Sequence, residues 1–346
     1  METLLEVKDL RAYYHTSTRT VPAADNINFS LGRGEVLGLV GESGCGKSTL
    51  ARSIVGLMDK TALRIEEGEI LFDGKNLVDA DKKTMQDIRG NRISMIFQDP
   101  FVSLSPVYTV EEQIYEVMKA HDKSLTKSAA REHIIDLMHK VGIPSPESRI
   151  KNYPYQMSGG MQQRVMIAIA LACNPDILIA DEPTTALDVT MQAQILDIMN
   201  KLKKTYDTAI ILITHDLGVV AQMADRIAVM YAGEIMEAGD ARQIFYQPSH
   251  PYTWGLLGAM PNMIQDVKSE LYTIPGTPPD LYAPPVGCPF AARCEYAMEA
   301  CLKEEPPKFV KDGGHVSRCW LHDERAPEVT PPAGIPALKK GVKVDE

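Results

Sequence analysis

GESGCGKST, Gly41 to Thr49, stands between the apolar run EVLGLV (35–40) and an apolar-patterned stretch that begins at Lys47. Strand, glycine-rich turn and helix, in that order, are the setting in which GxxxxGK[ST] binds phosphate. Gly41, Ser43, Gly44, Cys45 and Gly46 belong to the turn, whose backbone amides can point inward to cradle phosphate groups. Lys47 reaches the outer phosphates, the Ser48 hydroxyl completes the motif as a magnesium ligand, and Thr49 follows it among the candidate nucleotide-binding residues. A glycine-rich turn with a chance lysine is the plainer alternative; the full match in its proper setting sets it aside. Cys45 occupies a place that wants a small side chain, so it reads as a filler rather than a redox group.

Outward from the loop, ILIADEP (Ile177 to Pro183) runs four apolar residues into two acids, as a buried central strand ending at a catalytic edge would. Asp181 would hold magnesium through water, and Glu182 would act as general base on the attacking water. Further strands read over Glu35 to Val40, Ile93 to Phe97, Ala209 to Thr214 and Ile227 to Met230. Helices read over Lys47 to Leu57, Val110 to Lys119, Lys127 to Val141, Gly160 to Ala172, Met191 to Thr205 and Leu217 to Met223. Interleaving of this kind predicts an α/β fold on a wound, mainly parallel sheet. LLEVKDLRAYY and ADNINFSLGRGE, near the start, predict a small antiparallel sheet docked on one side.

After Phe245 the texture changes: 15 of the 23 prolines fall between Pro248 and Pro336. A packed sheet cannot absorb so many missing amide donors. Residues 1–247 therefore read as the main domain, 248–325 as an irregular appendage and 326–346 as a mobile tail.

The balance of 36 Lys and Arg against 46 Asp and Glu leaves a net charge of -10, which offers no broad basic face to nucleic acid. METLLEVKDL lacks the basic start and apolar core of a signal peptide, and no apolar stretch reaches the ~18 residues needed to span a bilayer. A cytosolic location is expected, in which six cysteines are not read as disulfides.

GESGCGKST, MSGGMQQR (Met157 to Arg164) and ILIADEP together resemble the ATP-binding cassette (ABC) ATPases. The resemblance implies a P-loop NTPase cassette with an antiparallel N-terminal subdomain and a helical subdomain over about 100–172, binding ATP and Mg2+. It implies that Ser158, Gly159 and Gly160 open a helix facing the γ-phosphate of a partner subunit, so that the fold works as a head-to-tail dimer. Gln98 in IFQDP resembles the Q-loop glutamine, which assists catalysis and magnesium binding. Asp188 in TALD resembles the D-loop aspartate and His215 in ITHD the switch histidine. Tyr14 is the aromatic expected on adenine, with Tyr13 the alternative. Met157 and Met161 replace the leucine and glutamine that commonly flank SGG; ATP binding should survive, with Gln162 and Gln163 supplying polar contacts. No catalytic position is degraded, which predicts one competent half-site.

A single cassette without a membrane span suits an importer ATPase that docks on separate membrane subunits. GESGCGKST, IFQDPFVSLSPVYTV, MSGGMQQRVMIAIAL and HPYTWGLL (His250 to Leu257) together resemble the oligopeptide/dipeptide importer subfamily, which includes nickel and glutathione importers. This implies an ATP-hydrolysing subunit, peripheral on the cytoplasmic side of the inner membrane, energising uptake of di- or oligopeptides. Its implied partners are two membrane-spanning permease subunits, a sister ATPase or a second copy of itself, and, indirectly, an extracellular substrate-binding protein. The same role for nickel or glutathione, and a soluble regulatory ABC ATPase, are the alternatives. By the same resemblance Phe101, Val102, Leu104 and Pro106 would line a groove for a coupling helix of the membrane subunit.

Cys288, Cys294, Cys301 and Cys319 fall in one short segment. Four thiolates in a proline-stiffened stretch suit structural zinc or an iron–sulfur cluster, and the lack of close CxxC pairs weakens zinc. His315 could replace one cysteine in a zinc site. The subfamily resemblance implies a 4Fe-4S cluster, with Zn2+ the alternative, and hence a metal-binding appendage.

Overall fold

The computed structural model describes residues 2–58, 61–185, 188–260, 273–332 and 334–344. The chain opens with two long strands, β1 (Thr3–His15) and β2 (Thr20–Gly32), followed by β3 (Val36–Val40) and helix α1 (Lys47–Val55). Next come β4 (Leu63–Phe72), β5 (Lys75–Asn76), α2 (Lys82–Ile88) and β6 (Ile93–Ile96). A helical stretch then runs through α3 (Pro100–Ser103), α4 (Val110–His121), α5 (Lys127–Lys140), α6 (Pro146–Arg149) and α7 (Gly159–Leu171). The alternation resumes with β7 (Ile177–Asp181), α8 (Val189–Tyr206), β8 (Ala209–Thr214), α9 (Leu217–Ala221), β9 (Arg226–Tyr231), β10 (Glu234–Asp240) and α10 (Ala241–Tyr246). Beyond it lie α11 (Pro251–Gly258), α12 (Glu299–Lys303), β11 (Phe309–Lys311), β12 (His315–Ser317) and β13 (Val342–Lys343).

β3 pairs in parallel with β8 on one side and β9 on the other, and β8, β7 and β6 continue the parallel run. These strands are continuous apolar runs because both faces are covered. Val36, Val40, Leu178, Ala180, Ile210 and Leu212 point into a core shared with the helices, while Leu37, Leu39, Ile177, Ile179, Ile211 and Ile213 point into a second core. The second core lies against the antiparallel sheet, ordered β2-β1-β4-β5, and α1. The five parallel-sheet strands fall within one residue of their expected ends.

The helical stretch is set by local signals. Thr109 and Glu112 form a reciprocal capping box at the start of α4, and Thr126 caps α5. Ser158 caps α7 by accepting from the Met161 amide at 3.4 Å.

The stretch after residue 248 is more ordered than its prolines suggest. β12 pairs antiparallel with β10 and β11 with β12, so the main sheet is carried outward to nine strands. FVK and HVS are short and proline-free, and Pro306 and Pro307 stop just before β11. Within 326–346, Val342–Lys343 pairs with β11. Among the described residues, no helix is long and apolar enough to cross a membrane.

Candidate active site

The phosphate loop joins β3 to α1. Gly46, at the N-cap of α1, has φ 103°, and a Cβ there would lie 1.9 Å from the Ala23 carbonyl oxygen. Only glycine fits that turn. Lys47 is buried, its Nζ donating to the carbonyls of Gly41 at 2.8 Å and Glu42 at 2.9 Å, so the loop is folded around its own lysine. Cys45 is packed beside it, and burial pushes its thiol up, as suits a filler. Ser43 and Gly44 are exposed at the crest of the loop.

Ser48 Oγ donates to Asp181 Oδ1 at 3.1 Å. The two oxygens sit side by side at the ends of α1 and β7, a hard donor pair suited to Mg2+. Burial raises the Asp181 carboxyl, and the Ser48 hydrogen bond opposes that rise. An incoming cation would favour the ionised form.

One residue further, Glu182 has φ 48°, a left-handed conformation that a non-glycine residue seldom adopts. The turn swings its carboxylate out of the sheet toward three polar side chains. Gln98 Nε2 and Thr185 Oγ1 donate to Oε2 at 2.9 and 2.8 Å, and His215 Nδ1 lies 3.3 Å from Oε1. Burial pushes Glu182 up, but Thr185, His215 and the charge of Lys47 together hold it below the usual carboxylate range. Glu182, Gln98 and His215, from three separate strand ends, are thus brought together. Thr185, three residues after Glu182, joins them without having been singled out by any motif.

Tyr14 faces the loop, its hydroxyl 3.4 Å from Thr49 Oγ1, whereas Tyr13 donates to Asp25 at 2.9 Å. Ser158, Gly159 and Gly160 occupy the start of α7, and Asp188 caps α8 by accepting from the Met191 amide at 2.9 Å. Gln162 and Gln163 do not supply surface polar contacts: both are buried, donating to the carbonyls of Pro154 and Met157 and of Pro183. Of the residues expected to line a groove, Phe101, Val102 and Pro106 are exposed. Leu104 is buried in the core, while Val107 and Tyr108 are exposed beside them.

Two contacts tie the C-terminal segment to the loop. Tyr252, in HPYT, accepts from the Glu42 amide at 2.9 Å, and Arg293 donates to both Glu42 carboxylate oxygens at 2.6 and 3.0 Å. Neither residue carries a local signal of this role, since the contacts span more than 200 positions.

The Cys301 sulfur receives the Met298 amide at 3.4 Å, and Cys288, Cys294, Cys301 and Cys319 lie in one neighbourhood. Burial and the mutual closeness of the thiols push Cys288 up to about 12 and Cys294 to about 11. Yet among the described residues no group of three or more His, Cys, Asp or Glu side chains is set to hold a metal ion. The expected metal-binding appendage therefore has its donors in one neighbourhood without a metal-ready arrangement. His315 is no substitute ligand: it is buried against Glu237, Nε2 to Oε1 at 2.7 Å.

The family model "ABC transporter" matches residues 24–185, and "Oligopeptide/dipeptide transporter, C-terminal region" matches 236–301. The oligopeptide transport ATP-binding protein OppD of Bacillus subtilis (strain 168) is 52% identical over 96% of this chain and 93% of its own. The chain belongs to the ABC transporter ATPases. The dipeptide transport ATP-binding protein DppD of Lactococcus lactis subsp. cremoris (strain MG1363) is likewise 52% identical, over 98% of this chain and 97% of its own. A solved dimeric cassette, MJ0796 in a post-hydrolysis state bound to ADP and Pi, matches with a TM-score of 0.62 at 28% identity, covering 69% of this chain and 99% of that one. As an ABC ATPase the protein is an ATP hydrolase.

Proposed function

We propose that this ABC ATPase energises a membrane importer of di- or oligopeptides. One observation carries the reading: a hydrolytic edge centred on Glu182 and a C-terminal region of the oligopeptide/dipeptide transporter kind occur in one chain, which matches peptide-transport relatives almost end to end. ATP binds with its phosphates on the amides of 41–49, Lys47 on the outer phosphates and adenine against Tyr14. Ser48, Asp181 and Gln98 would hold magnesium, which when bound would supply charge neutralisation on the phosphates. Glu182, held ionised by its neighbours, takes the proton of the attacking water, while Gln98, Thr185 and His215 fix the direction of its carboxylate.

Ser158, Gly159 and Gly160, with the amides and dipole of α7, serve the nucleotide of a second ATPase subunit, sister or identical, and Asp188 contributes to that head-to-tail contact. Phe101, Val102, Pro106, Val107 and Tyr108 present the apolar surface for the membrane subunits. Two permease subunits would hold the ATPase pair at the cytoplasmic face of the inner membrane, and an extracellular binding protein would act through them. Residues 1–247 form the cassette and 248–325 its C-terminal region, with 326–346 as the tail.

The finer reading of the four cysteines is a 4Fe-4S cluster. Four neighbouring sulfurs, Cys301 among them given a backbone N–H that would favour thiolate, support it; the missing metal-ready arrangement counts against it. Anaerobic purification with metal analysis and a visible spectrum tests it. Brown protein with about four iron atoms per chain supports the cluster, and colourless protein, with zinc or without metal, overturns it.

The function is tested by co-expressing the chain with its membrane subunits in proteoliposomes. ATP-driven accumulation of labelled dipeptide is expected. ATP hydrolysis without accumulation of any di- or oligopeptide would overturn the peptide reading, and a fully active dimer that never associates with membrane subunits would overturn the importer reading.

A further inference from the structure

Arg293 gathers three distant parts of the chain on one buried guanidinium. Nη1 and Nη2 take the two oxygens of Glu42, Nη1 also donates to the Tyr231 hydroxyl at 3.2 Å, and Nε donates to the Pro275 carbonyl at 2.8 Å. The plane lies 5.7 Å from the centre of the Tyr231 ring and 5.9 Å from that of Phe290. A forked, planar, permanently charged group is needed for that set of partners, and lysine cannot reproduce it.

Glu42 is the second residue of the phosphate loop. Its amide is held by Tyr252 and its carbonyl holds Lys47, so Arg293 controls the side chain of a residue whose backbone is already part of the lysine's seat. Glu42 also brings a carboxylate into a loop that must accept a polyanion. Paired with Arg293 its charge is neutralised; unpaired it would repel the phosphates. Alongside, Pro278, Pro279 and Leu281 share a small space with Glu42, Ser43, Gly44 and Cys45. The stretch they belong to is tied at Pro275 by Arg293 and at Tyr282 by Arg19, whose Nη1 is 3.4 Å from the carbonyl oxygen.

We propose that Arg293 is a positioning residue for the ATPase: by pairing with Glu42 it lets the C-terminal segment set the affinity of the phosphate loop for ATP without touching the nucleotide. The proposal rests on the reading of residues 41–49 as the ATP site. It extends that reading by giving residues 275–294 a part in nucleotide binding.

The test is steady-state hydrolysis by the full-length chain in its complex, comparing wild type with Arg293→Lys, Arg293→Gln, Glu42→Gln and the double variant Glu42→Gln/Arg293→Gln. Arg293→Gln should raise KM for ATP about tenfold, the scale of one lost charge-assisted contact, with kcat at saturation within about twofold. Arg293→Lys should fall between. The double variant should recover much of the KM, because the unpaired carboxylate is gone. Unchanged KM in Arg293→Gln overturns the proposal. So does a double variant no better than Arg293→Gln in KM and equally lowered in melting temperature, which would mark Arg293 as packing alone. Failure of the wild-type chain to bind ATP at all would overturn the underlying site reading, and this proposal with it.

Discussion

The phosphate loop and the C-terminal segment touch at Glu42, yet they are held in opposite ways. The loop is held by its own backbone: glycine conformations, a lysine folded onto carbonyls six and five residues away, and the strand and helix on either side. The C-terminal segment is held by side chains that reach across the chain, Tyr252 and Arg293 to Glu42, His315 to Glu237, and Arg318 to Glu234 at 2.5 Å. Glu237 is itself buried and accepts from the amides of Ser249 and His250, so one carboxylate anchors both the start of the segment and β12. The contrast shows why one region announces itself in nine consecutive residues and the other does not.

The strongest way to break the comparison is at the edge that the loop serves. Glu182→Gln should lower phosphate release by roughly 100-fold or more, the range expected for loss of a general base. ATP binding should persist, because Lys47 and the loop amides are untouched; equilibrium binding alongside turnover checks both halves.

The C-terminal segment should be the first to loosen in acid. Burial brings His250 down to about 3 and His322 to about 4. Folded histidines that bind protons less readily than unfolded ones contribute stability that is complete above the ordinary value of 6.5 and is lost as pH falls from there toward 4. At pH 5 each should have given up about 2 kcal/mol. Hydrogen exchange at pH 7 and pH 5 should show protection lost around 250–257 and 315–322 before it is lost in β3, β7 and β8.

A smaller effect sharpens the contact between the two regions. Tyr252→Phe removes the acceptor of the Glu42 amide at the cost of one buried hydrogen bond, about 1–2 kcal/mol. KM for ATP should rise several-fold while kcat changes little, as titration of hydrolysis against ATP will show. The least should come from ending the chain at Gly341. Val342 is exposed and β13 is two residues long, so the melting temperature should report a loss of no more than ~0.5 kcal/mol.

What could be read from the sequence follows the same division. The parallel strands were legible because burial on both faces writes uninterrupted apolar runs such as LIA and AIILI. Glu182, Gln98 and His215 were legible as strand-end polar residues once a family resemblance joined them. Thr185, three residues past Glu182, carries no motif position that would single it out. The inward turn of Gln162 and Gln163 was not legible, since a polar residue in a surface-like motif gives no sign that backbone carbonyls await it inside. The strands β11 and β12 were hidden by surrounding prolines, because three residues carry too little pattern to outweigh them. Arg293 lies in CPFAARC, where the cysteines on either side draw the chemistry toward themselves.

β3 sits between β8 and β9, which come from residues 209–214 and 226–231. A ribosome adding about 5–20 residues per second would deliver β9 roughly 10–40 s after β3. Until β8 emerges the strand that leads into the glycine-rich loop has neither neighbour, and until β9 emerges it has only one. The nascent chain can close its N-terminal hairpin early, β1 against β2, but the nucleotide loop must wait for most of the cassette to emerge. Folding of this ATPase is thus timed by its last parallel strand, and a chain stalled before residue 226 would leave one edge of β3 unpaired and open to chaperones.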